Sequence, residues 1–217
     1  MALRLHRHGR FRRWLGGALG GDEVLGDRAW RRIMHTLGAA ILVYYAIPTD
    51  FFVIVPKVDV LLAALAAMLI LEALRHTLGL EIPTLRPYEQ RRVASFVFFS
   101  IALVAAVLLF PLPIGAAIVL GTSLVDPIAG ELRHETSSPL LWLGLPLVAY
   151  ALLAFVGLAA VGGWPPGPSA LLAVAAAPIA IAAEWPKYPW VDDDLVMTVV
   201  PGVFLYAVGV LALGLAH

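Results

Sequence analysis

The chain has 217 residues, of which 61% are hydrophobic and only 14% charged, with 15 basic and 15 acidic side chains in formal balance. A soluble domain carries about 45–50% apolar residues, glycine included, and about 25% charged ones. That excess of apolar residues excludes a secreted globule, a nucleic-acid-binding domain and a disordered tail, and makes lipid the expected solvent. The absence of cysteine excludes disulfides, thiolate zinc sites and cysteine nucleophiles.

The first 29 residues form a basic segment with Arg4, Arg7, Arg10, Arg12 and Arg13. Its apolar stretch, residues 14–21, is short and glycine-rich, so it reads as an amphipathic segment on anionic headgroups rather than a cleavable signal. Residues 30–217 form the membrane domain. A bilayer core about 30 Å thick takes about 20 apolar residues of helix. Seven runs approach that length: Trp30–Ile47, Val58–Ala73, Val93–Phe110, Pro111–Ala129, Leu140–Val161, Ser169–Ala183 and Leu195–Leu215. Phe51–Val55 is expected at the far interface. Proline and glycine separate several of the runs, notably Pro111 and Pro113, and the stretch Gly162 to Pro168. The expected fold is all-α, a polytopic membrane protein of about seven transmembrane helices.

Seven spans put alternate loops on opposite sides. With the N-terminus in the cytoplasm, every Lys and Arg except Lys57 falls in residues 1–32, 75–92, 130–139 or 184–194. The positive-inside rule therefore predicts a multi-pass protein of the cell membrane with a cytoplasmic N-terminus. Of the acids only Asp50 and Asp59 lie opposite. Acids do little to orient a chain, so their clustering points to chemistry at one face.

Four constellations carry that chemistry. Arg28, Arg31, Arg32 and His35 are spaced for one helical face. Arginine forks suit phosphate, and the alternative is plain anchoring. In the stretch Arg86 to Arg92, Glu89 and Arg92 lie one turn apart and could pair at the start of the third run, against the plainer reading of a solvated helix start with anchoring arginines. In Asp126-Pro127, the aspartate reads as an N-cap, predicting that the fourth span breaks at Val125 and restarts. Asp126, Gly130 and Arg133 then share a face, and Gly130 would admit a ligand close to the backbone. Against this stands a capping Asp126 paired with Arg133. Glu131, His134 and Glu135 form a second face open to solvation. Finally Glu184 and the run Asp192-Asp193-Asp194 flank an aromatic stretch, Trp185 to Trp190. Three adjacent aspartates repel one another, which a divalent cation would resolve, although a solvated acidic cap would serve as well. No Walker loop, protein-kinase signature, His-Glu-x-x-His or Gly-x-Ser-x-Gly occurs.

Taken in order, these motifs resemble the CTP-dependent membrane lipid kinases: dolichol (polyprenol) kinase, phytol kinase and CTP-dependent diacylglycerol kinase. Residues 31–38 resemble the family's basic-x-x-His helix start. Residues 89–92 resemble its Glu-x-basic-basic segment, and 126–130 with Arg133 its Asp-x-x-Ala segment. Glu184, Asp192-Asp193-Asp194-Leu195 and Pro201 resemble its Glu, Asp-Asp-Asn-Leu and Pro ending. Two departures stand out. Residues 133–138 lack the lysine and glycine of the family's Lys-x-x-Glu-Gly-Ser stretch, and Asp194 stands where the family prefers asparagine.

The resemblance implies phosphoryl transfer from a nucleotide, CTP, to a lipid alcohol such as a polyprenol or a diradylglycerol. It implies magnesium as the cation. Asp126 and His35 are the catalytic candidates. Arg31, Arg32, Arg92, Gly130 and Arg133 are the nucleotide-phosphate candidates, and Asp126, Glu184, Asp193 and Asp194 the metal candidates. The expected partners are nucleotide, lipid alcohol and membrane lipids, with no nucleic acid. A homo-oligomer is compatible with the sequence. The rival readings are a CDP-lipid-forming cytidylyltransferase and a non-enzymatic transporter or scaffold. A transporter would more often carry ionisable groups at the midplane of broken helices.

Overall fold

The computed structural model describes residues 32–49, 55–80, 85, 89–184 and 191–215. Among them there is helix and no strand. Helix α1 covers residues 32–46 and tightens to 3₁₀ geometry over Ala39–Leu42. Helix α2 is Lys57–Leu78, α3 Ser95–Leu109 and α4 Leu112–Glu135. Helix α5 is Leu140–Val161, α6 Pro166–Ala183, and α7 Asp193–Ala212. A short 3₁₀ turn, Glu89–Arg91, precedes α3. Within the described residues each of the seven apolar runs overlaps one of these helices, and α5 has the expected limits.

Four helices are long and apolar enough to cross a membrane: α4 over Leu112–Arg133, α5, α6 and α7. The chain is a membrane protein with these four candidate spans. Helix α3 is apolar but has only 15 residues. Outward-facing leucines and valines, such as Leu71, Leu109, Leu152, Leu171, Val174 and Leu211, are largely exposed. Such an apolar exterior suits hydrocarbon and would be costly in water.

Helix α4 is the centre of the bundle, packing against α1, α3, α5 and α7, while α6 packs between α5 and α7. Small residues allow this close approach. A Cβ on Gly157 of α5 would lie 2.3 Å from the backbone nitrogen of Ala117 in α4. The shared core includes Ile114, Ile118, Tyr150, Leu158, Leu172, Met197 and Leu205.

Consecutive helices run in opposite directions, so the bundle has two ends. At one end Lys57 Nζ donates to the carbonyl oxygens of Tyr44 (3.1 Å) and Ile47 (2.7 Å), satisfying the last turn of α1. This accounts for the one basic residue that the sequence places on that side. Helix α2 ends at the other end with Gly79, whose φ of 61° is left-handed. There Leu80 N–H bonds back to the Arg75 carbonyl at 2.9 Å.

One expectation is corrected. Helix α4 does not break at Val125: it runs unbroken through Asp126 with Pro127 inside it. A proline within a helix removes one hydrogen bond, here the one to the Ser123 carbonyl, and crowds that carbonyl with its ring. Tertiary packing on four neighbours outweighs that loss. Asp126 is therefore a side chain on a continuous helix and caps nothing.

Candidate functional site

The site forms at the end of the bundle where α1, α5 and α7 begin and α4 and α6 finish. His35 lies on the first turns of α1, buried at 7% exposure, with its ring tilted against Phe99 at 4.4 Å between centroids. That contact fixes the imidazole, whose Nε2 is 3.1 Å from Asp194 Oδ2 and 3.8 Å from Asp126 Oδ2. One donor atom from each of the three residues lies within 4.8 Å of the others. Asp194 is 5% exposed, whereas the Asp126 side chain keeps 24% of its surface open. Asp126 is thus the accessible member and Asp194 the enclosed one.

Helix α7 enters this cluster through its own cap. Asp192 has extended backbone geometry, and its side chain accepts from the Asp194 N–H. One turn later the Thr198 hydroxyl donates to the Asp194 carbonyl at 2.7 Å and meets Thr122 of α4 at 3.1 Å. The cap and the threonine pair lock Asp194 opposite Asp126. Burial, followed by a hydrogen bond shared with Asp193, pushes the Asp192 carboxyl up from 3.8 to about 7. Arg92 approaches Asp192 at 3.8 Å without overcoming that burial.

Glu184, 3% exposed at the end of α6, is ion-paired with Arg133 on α4. The Asp126 carboxylate interacts electrostatically with Asp194, Glu184 and Asp193, and Arg133 with Asp126 and Asp193. Arg133 Nε is buried and lacks a hydrogen-bond partner. Nothing lies within 4 Å of where a Gly130 Cβ would stand, so the backbone there is open. Arg32 pairs with Glu131, which lies on the face that the sequence suggested would be solvated. The alternative pairing of Asp126 with Arg133 gives way to Arg133 with Glu184.

Most of the residues singled out from the sequence therefore meet at one place: His35, Asp126, Gly130, Arg133, Glu184, Asp193 and Asp194, with Arg92 and Arg32 at the rim. Arg28, Arg31, Arg86 and Lys187, the segment 1–29, Phe51–Ile54 and the aromatic stretch 185–190 lie outside the described residues. Glu89 accepts a hydrogen bond from the Ser95 hydroxyl, and Arg92 reaches out to Asp192. Glu72 and Arg75 belong to none of the four constellations, yet they are 5% and 2% exposed and bonded to each other. The signal that could have found them is an acid and a base one turn apart, straddling the end of the apolar run Val58–Ala73.

The donor set fits a divalent cation. Two carboxylates face one point, and a buried imidazole can hold one of them in place or bind directly. The arginine with an unsatisfied buried N–H and the open backbone at Gly130 fit a phosphate group beside it. No family model, curated protein or solved structure matches the chain.

Proposed function

We propose that the protein is a lipid kinase of the cell membrane, similar to the CTP-dependent polyprenol and diacylglycerol kinases. In this reading α1, α2 and α3 join the four longer helices as seven spans, with the N-terminus and the site on the cytoplasmic side. The observation that carries the proposal is convergence. Three sequence-distant motifs supply an imidazole, four acidic side chains and an arginine to one end of an apolar bundle. A membrane alcohol and a water-borne nucleotide could meet only at such a boundary.

Asp126 and Asp194 would hold a magnesium ion, which supplies charge neutralisation on the nucleotide phosphates. Arg133 would donate its unsatisfied N–H to a phosphate oxygen, with Gly130 admitting that phosphate against the helix backbone. Asp126, the more open carboxylate, faces the lipid hydroxyl and accepts its proton. The hydroxyl oxygen forms a bond to the terminal phosphorus as the bridging oxygen–phosphorus bond breaks and CDP leaves. His35 holds Asp194 through Nε2, and Glu184 holds Arg133. Little covalent work is needed from the protein, because phosphoryl transfer depends chiefly on positioning and charge.

The test is to supply purified protein with CTP labelled at either the α or the terminal phosphate, magnesium and a panel of lipid alcohols. Terminal label in the lipid with CDP released supports the kinase. In a parallel incubation with phosphorylated lipids in place of the alcohols, pyrophosphate release with the α-label incorporated as a CDP-lipid assigns cytidylyl transfer instead. Inertness toward all nucleotides, with solute flux into liposomes, assigns transport.

A further inference from the structure

Away from the acidic cluster, the end of α2 buries a charged pair that the reaction above does not use. Arg75 is 2% exposed. Its Nε and Nη2 donate to Glu72 Oε2 at 2.8 Å and Oε1 at 2.7 Å, a bidentate pair. The same guanidinium donates to three backbone carbonyls of one turn: Gln90 at 3.2 Å, Glu89 at 3.2 Å and Arg92 at 2.7 Å. Glu72 Oε1 in turn accepts the Ala94 N–H at 2.9 Å, and Ala94 is the N-cap position of α3. Glu89, 1% exposed, receives the Ser95 hydroxyl. The pair therefore grips both ends of the turn from Glu89 to Ala94.

A buried ion pair is a poor way to gain stability, since well-packed apolar residues often do as well. What it supplies here is a shape. Only a planar fork of donors can chelate a carboxylate and collect converging carbonyls at once, and a lysine ammonium cannot. The residue so fixed is Arg92, whose carbonyl takes the shortest of the three bonds. Its own guanidinium, about 40% exposed, extends to within 3.8 Å of Asp192, the cap of the helix that carries Asp194.

We propose that Glu72 and Arg75 are positioning residues: they template the Glu89–Ala94 turn so that Arg92 stands at the mouth of the site as a receptor for nucleotide phosphate. The assignment rests on the kinase reading for the identity of the ligand. On nucleotide entry the Arg92 guanidinium exchanges the Asp192 carboxylate for a phosphate oxygen, and Arg75 keeps its backbone still while it does so.

The test uses the purified full chain in detergent, with magnesium and CTP as the binding probe and terminal-phosphate transfer to a polyprenol as the kinetic readout. Arg75→Lys should raise both the CTP dissociation constant and the KM for CTP by about tenfold, while the KM for the lipid stays put. Arg92→Ala should do the same. The double variant should be no worse than Arg92→Ala alone, because both changes remove one interaction. Glu72→Gln, which keeps the shape of the pair, should show a weaker form of the same pattern and serves if Arg75→Lys does not fold. A folded Arg75→Lys or Glu72→Gln with the wild-type KM for CTP would overturn the assignment. So would multiplicative losses in the double variant, which denote general structural damage. Wild-type protein that neither binds CTP nor transfers phosphate overturns the kinase reading itself, and with it this role.

Discussion

Asp192 shows how burial and capping compete at a single residue. Its carboxyl caps α7, yet its surroundings raise it from 3.8 to about 7. A raised carboxyl binds a proton more tightly in the folded chain than in the unfolded one. Without metal, stability is therefore highest below the unfolded value and falls as pH rises from about 4 towards 7. Asn caps as well as Asp and does not titrate. In EDTA, Asp192→Asn should match the wild-type unfolding midpoint near pH 4, exceed it at pH 8, and show its growing advantage within that window. A constant difference across pH would remove the burial argument. Much at this scale was hidden from the sequence. Spacing marked Arg32 and His35 as neighbours, but His35 and Asp194 are 159 positions apart, and no local pattern announces their contact at 3.1 Å. Nor could spacing choose Glu184 over Asp126 as the partner of Arg133.

Helices were more legible, because an apolar run of bilayer length can do little else than form one. The limits of α5 follow directly from its composition, and Pro111 and the Gly162–Gly163 stretch end helices as their chemistry requires. Asp126-Pro127 misled because a cap signal is local, whereas the continuity of α4 is set by neighbours that the sequence does not reveal. The passage of α1 into 3₁₀ geometry after Gly38 is similar: a Cβ there would stand 2.5 Å from the Phe99 ring, a contact made 61 positions along the chain. The packing of α5 on α4 depends on Gly157 in the same way. Gly157→Val forces two helix backbones apart and should cost about 1–3 kcal/mol, lowering the thermal midpoint by several degrees. An unchanged midpoint in a micelle-based unfolding assay would mean that the two helices do not meet there.

For the whole molecule the governing fact is the sorting of charge along the bundle axis. Among the described residues, the cluster, its arginines and the Glu72–Arg75 pair lie at one end, and Lys57 and Asp59 at the other. The sequence predicted this separation from loop charges alone, and the proposed cytoplasmic site rests on it. Because the chain has no cysteine, the separation can be read by single replacements. In sealed right-side-out vesicles, Asp59→Cys should react with an impermeant maleimide and Glu135→Cys only after permeabilisation. Equal labelling of both from outside would place the two ends on one side and dissolve the proposed topology.

The proposed reaction turns on Asp126 receiving a lipid hydroxyl beside Asp194 at that membrane face. Its most direct measurement is transfer of terminal label from CTP to an extractable lipid alcohol by purified wild-type, Asp126→Asn and Asp194→Asn proteins with matched unfolding midpoints. Label should accumulate with the wild type and fall at least about a hundredfold in both variants. Undiminished transfer by Asp126→Asn, or no transfer by a folded wild type to any lipid in the panel, would contradict it.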